Sequence, residues 1–191
     1  MRLAACVLSC GLMLAGGSIA GLAEEVPQAR IEASRAVAAS FAGELKEALT
    51  KEMAASGPIG AVDVCKSMAP EIADRASEKS GWEVARTSLK PRNSGNAPDA
   101  WEAEVLQAFA ARKAAGEDPA KMETWAIVDD GGQKRFRYMK AIPTASLCLA
   151  CHGTSIEPEL RAHLDRLYPD DAAVGYREGD IRGAFTITQP M

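Results

Sequence analysis

Cys148-Leu149-Ala150-Cys151-His152 is the stretch of this chain whose residue types and spacing carry the most specific chemistry. Two thiols at this separation can each form a thioether to one vinyl group of a single haem, and the adjacent imidazole is then held beneath the iron. A redox dithiol is one rival, but such motifs are not followed by this histidine. Half of a zinc site is the other, and no second ligand pair completes it. The spacing therefore points to one covalent haem c, with His152 as the proximal iron ligand.

The sixth iron ligand has few candidates. His163 lies on an expected helix beside Leu160 and Leu167, where a histidine is ordinarily a half-exposed surface residue. Met68, Met122 and Met139 are thioethers, yet methionine is also a general core filler. Cys65 differs because it is an odd thiol. Its helical phase aims it inward, and the residue pattern leaves two readings balanced: a small buried hydrophobe, or a thiolate bonded to iron. A thiolate would stabilise ferric iron and place the potential below that of His/Met cytochromes.

A haem also brings two propionates, which need cationic or hydrogen-bonding partners when buried. Arg86, Lys90, Arg92 and Asn93 fall together in Arg86-Thr87-Ser88-Leu89-Lys90-Pro91-Arg92-Asn93 and could supply them. A solvated basic loop is the plainer reading of the same run.

The N-terminus bears on where these thiols would reside. Met1-Arg2 is followed by an uncharged run, Leu3 to Leu22, then small Ala23 before Glu24-Glu25. This is the layout of a secretory leader cut after Ala23, giving a signal peptide over 1–23 and a domain over 24–191. An uncleaved membrane anchor is the alternative, and a lipid-attachment cysteine at Cys10 is a weaker third. Cleavage would remove Arg2 and no acid, taking the net charge from −4 to −5, and would remove Cys6 and Cys10. Cys65 would then be the one thiol outside the haem motif. The expected location is the periplasm, and the acidic balance excludes a nucleic-acid footprint.

The elements that must position these residues follow from periodicity. A helix is expected from Val26 to Ser56, with Val37, Phe41, Leu45, Leu49 and Met53 as its apolar stripe. Gly57-Pro58 breaks it, and a second helix runs from Ile59 to Lys79 with Val62, Cys65, Ala69, Ile72 and Ala76 inward. Trp82 to Leu89 is a strand and Lys90 to Asp99 a loop. Asn96 caps a third helix whose inward face is Trp101, Val105, Ala108 and Phe109. Strands Thr124–Val128 and Lys134–Ile142 flank the turn Asp129-Asp130-Gly131-Gly132. A helix from Pro158 to Leu167 and a strand from Ile181 to Thr188 close the chain. The sum is one α+β domain, helices leading and an antiparallel sheet behind.

Val62-Asp63-Val64-Cys65, the Arg86 to Asn93 run continuing to Asn96-Ala97-Pro98, the haem motif, Tyr168-Pro169-Asp170-Asp171, and Gly175 through Ala184 occur in that order. Together they resemble the Tll-type haem domain, a family long listed as a domain of unknown function. The resemblance covers nearly all of residues 24–191. It implies a PAS-like fold around one covalent haem, and it implies that Cys65 is the iron ligand opposite His152.

Two functions from different classes are expected. The first is a low-potential one-electron carrier, whose acidic surface suits a basic redox partner that the sequence does not name. The second is a haem-based redox or gas sensor, in which loss of the thiolate admits a small gaseous ligand. The chain ends at Met191 without an output region, which places the sensor second. No residue set beyond the haem motif resembles an enzyme site, so no catalytic residue is expected. Membrane contact is expected only if the leader stays attached.

Overall fold

A computed structural model describes residues 28–191 of the chain. The expected leader, its cleavage point and the first residues of the N-terminal helix lie outside the described residues. Among the described residues no helix is long and apolar enough to cross a membrane.

Helix α1 covers Gln28–Ser80 and is interrupted at Gly57, whose φ of 68° and ψ of −168° are non-helical. A residue with a Cβ is strained there, whereas glycine is not. Pro58 follows, pre-set for the first turn of a new helix. The arms fold back on one another: Arg75 of the second reaches Glu44 of the first at 3.4 Å, and Phe41 shares a core cluster with Ile72. The two expected helices are the two arms of this hairpin.

The strands are β1 Glu83–Thr87, β2 Glu123–Asp130, β3 Gln133–Pro143 and β4 Ile181–Pro190. They form one antiparallel sheet in the order β1-β4-β3-β2. Alternation sends side chains to both faces of the sheet. Val84, Phe136, Tyr138, Phe185 and Ile187 pack on α1, while Met139, Ala141 and Ala184 pack on helix α2, Ala100–Ala114. Both faces are therefore covered, and the α+β architecture is the one expected.

Two local expectations are corrected at α2. Its N-cap is Asp99, not Asn96: the Asp99 carboxylate accepts from the Glu102 amide, and the Glu102 carboxylate accepts in return from the Asp99 amide. Asn96 instead ends a short 3-10 turn, Ser94–Asn96. Ala108 is exposed, and Glu102 and Leu106 occupy the inward face. Glu102 tolerates burial because Arg137 lies 3.1 Å away and the Thr186 hydroxyl donates to it at 2.7 Å. A buried carboxylate is stable only with such partners.

At the far end of β3 the register shifts between Ile142 and Pro143. Thr144 then exchanges backbone hydrogen bonds with the 179–180 segment: its amide donates to Asp180 at 2.7 Å and its carbonyl accepts from Gly179 at 2.8 Å. This carries the chain off the sheet into a 3-10 turn Ser146–Cys148, helix α3 Leu149–His152, and helix α4 Pro158–Leu167. The second arm of α1 packs on α4 through Val62, Leu160 and Leu164.

Candidate functional site

Cys148, Cys151 and His152 share one continuous turn, where the 3-10 segment passes into α3. All three line a cavity of about 390 Å³, a size typical of small-molecule and cofactor sites. The first arm of α1 supplies an apolar wall, Phe41, Leu45, Leu49 and Met53, at the i, i+4 spacing of one helix face. The second arm supplies Cys65 and Ala69. Strand β1 adds Arg86 and Thr87, the following loop Arg92 and Asn93, and the start of β4 Arg182 and Gly183.

His152 is held in one tautomer. Its Nδ1 lies 2.7 Å from the Ala173 carbonyl, which can only accept, so Nδ1 carries the proton and Nε2 keeps its lone pair. Burial, then the positive charges of Arg182 and Arg92, push its pKa down to about 2. The ring is therefore neutral, the form that ligates metal. The Tyr176 amide fixes the adjoining backbone by donating to the His152 carbonyl at 2.9 Å. Burial also pushes the Cys151 thiol up.

Arg92 holds the turn in place. Its Nη2 donates to the Cys151 carbonyl at 2.5 Å and the Ala173 carbonyl at 3.4 Å, and lies 3.1 Å from the fully buried Asp171. Asp171 in turn accepts from the Ala173 amide at 2.8 Å. One guanidinium thus joins the Cys-containing turn to the loop that orients His152. Arg92 borders the cavity and is paired with Asp171, while its Nε is buried without a hydrogen-bond partner. Asn93 borders the cavity too, but its side-chain oxygen accepts from the Gly95 amide at 3.0 Å.

Lys90 is not brought to the site. Its Nζ donates to the Val174 carbonyl and sits 4.8 Å from the centre of the Tyr176 ring. The alternative iron ligands are also elsewhere. His163 contacts Asp63 and Arg166 on the surface, Met68 is exposed, and Met122 and Met139 are buried under α2. Cys65 is the sequence-derived candidate for a sixth ligand that faces the cavity.

Sequence reasoning missed two residues here. Met53 lines the cavity as the last member of the apolar stripe, where it was read only as packing. Arg182 lines it from the Gly-Asp-Ile-Arg-Gly segment, and burial followed by the nearby charge of Arg92 lowers its pKa. Arg86 is lowered likewise, by burial and then by Arg182. Neither forms an ion pair with a carboxylate among the described residues, and the strand context of each was the available signal.

The donor set fits a covalent haem: two thiols and a neutral imidazole on one turn, an apolar wall, and basic groups at the rim. It does not fit a bare metal ion. Among the described residues no cluster of three or more His, Cys, Asp or Glu could hold one.

The family model described as Tll0287-like matches residues 22–190. The chain is similar in structure to the crystal structure of the cyanobacterial heme-protein Tll0287, with a TM-score of 0.59 at 23% identity, covering 87% of this chain and 98% of that one. At that identity the likeness speaks for the fold. Nothing matches among the curated proteins compared.

Proposed function

The chain belongs to the Tll0287-like family, and from that premise we propose that it is a c-type cytochrome that carries one electron at a time. Cys148 and Cys151 would hold a single haem c in the cavity, and His152 and Cys65 would ligate its iron. The observation that carries this reading is the convergence of the Cys148–His152 turn and Cys65, from separate helices, on one largely apolar cavity. The structurally similar cyanobacterial Tll0287 is a heme-protein, which supports the haem-binding part of this reading.

A haem held there supplies a one-electron ferric/ferrous couple. The chain's own residues do the rest. Ala173 fixes the His152 tautomer, and Arg92 with Asp171 fixes the turn that carries it. The α1 stripe excludes water from one wall. As an iron ligand Cys65 would supply a thiolate sulfur, whose charge would favour the ferric state and lower the potential. Export follows from the leader-like residues 1–23, and we propose a periplasmic site of action.

Electron paramagnetic resonance and optical spectra of wild type and Cys65→Ala test the ligand set. Wild type should give a thiolate-type low-spin ferric signal, and the variant should keep its haem, lose that signal and gain potential. Identical spectra would remove Cys65 from the iron. Ready binding of CO by the reduced wild type would replace the carrier with a ligand-binding module.

A further inference from the structure

Arg86 and Arg182 are anomalous among the cavity's cations. Arg86 lies on β1, paired with Phe185 of β4, and Arg182 lies just before the last β1–β4 pair, Thr87 with Ala184. Both line the cavity. Three other shielded cations have acids: Arg92, on the same cavity, has Asp171, Arg137 has Asp99 and Glu102, and Lys113 has Asp180. Among the described residues neither Arg86 nor Arg182 has one. The Arg86 guanidinium lies over the face of Phe41, 5.7 Å from the ring centre.

Two such charges on one cavity wall repel each other and are poorly solvated. Each is held below its ordinary pKa by burial first, and Arg86 then by Arg182. Desolvated charge is retained at low cost only where a counter-charge meets it. Here that counter-charge must come from whatever fills the cavity, and it must be anionic. Guanidinium groups suit carboxylates because the planar fork can donate two parallel hydrogen bonds.

We infer that Arg86, already one of the four residues expected from the sequence, and Arg182, which was not, are the cationic partners of the two haem propionates. This rests on the haem reading above. Gly183 supports the arrangement, since a Cβ there would come within 2.3 Å of the Thr87 carbonyl oxygen. The absent side chain lets β1 and β4 close together directly beside both arginines.

The test is the midpoint potential of the haem-loaded protein in Arg86→Met, Arg182→Met and, as a control on the exposed face of α4, Arg166→Met. Removing a cation beside the propionates disfavours the reduced state. Each cavity variant should therefore shift toward the oxidised form, on the order of ten-fold at a fixed applied potential. Arg166→Met should not shift. Covalent haem is measured in every sample. Unshifted potentials in cavity variants that retain haem would overturn this inference and leave the haem reading standing. Absence of covalent haem from wild type would overturn both. Should a methionine variant fail to fold, Arg182→Lys keeps the charge but loses the fork. It should then displace the propionate bending modes in resonance Raman while the iron–ligand modes stay in place; unmoved propionate modes would also overturn the inference.

Discussion

Replacing Arg92 with alanine is expected to destabilise the protein through Asp171, whether or not a haem is bound. Asp171 is fully buried, with Arg92 at 3.1 Å and the half-exposed Arg161 at 3.7 Å. Removing one partner of a buried pair typically costs about 3–5 kcal/mol, because the other charge is left uncompensated. Arg161 supplies part of the compensation, so the lower end applies, about 3 kcal/mol. For a domain of this size that lowers Tm by roughly 6–12 °C. Thermal unfolding followed by circular dichroism, with urea unfolding as a second measure, reads the loss. Arg92→Met combined with Asp171→Asn should recover much of it, since no buried charge then remains unpaired. A single variant that loses less than about 1 kcal/mol, the range of an exposed pair, would refute the argument. So would a double variant no more stable than Arg92→Ala.

Three further outcomes follow from other parts of the fold. Gly183→Ala places a Cβ against the Thr87 carbonyl oxygen and 3.2 Å from Ser88 Cβ, and should cost about 1–3 kcal/mol in urea unfolding; an unchanged midpoint would show that β1 can yield there. Tyr138→Phe removes a 2.8 Å hydrogen bond donated to the Glu123 carboxylate, and should cost about 1.5–3 kcal/mol by the same assay. Glu123 is held below the usual carboxylate range chiefly by Arg35, so its contribution to stability is full above the unfolded value, about pH 4.3, and is lost as pH falls through the lower folded value. Wild type should therefore lose more stability on acidification than Glu123→Gln, and equal losses would contradict that assignment.

Features set by local chemistry were readable from the sequence. Gly57-Pro58 marked the reversal of α1, and the helix over Pro158–Leu167 was located to the residue. The turn carrying Cys148, Cys151 and His152 needed only their spacing. Roles set by distant partners were not readable. Arg92 resembled a free cation in a basic run because Asp171, its partner, lies far along the chain on a loop after α4. Glu102 was not among the expected inward residues of its helix because its partners Arg137 and Thr186 come from β3 and β4. Arg182 was read only as part of a motif and not as a site residue, because the absence of a counter-charge is a property of the folded surroundings. Cys65 stood between the two: its helical phase gave the inward face, while only the fold brought that face to the cavity with His152.

The covalent haem is the claim from which the rest descends, and a pyridine haemochrome spectrum after acid–acetone extraction tests it most directly. The purified protein should keep its colour on the polypeptide and give the band of a haem with both vinyl groups saturated by thioethers, one haem per chain. Colour passing into the solvent, with the band of unmodified haem b, would contradict the account, as would a colourless protein from cells competent to attach haem c.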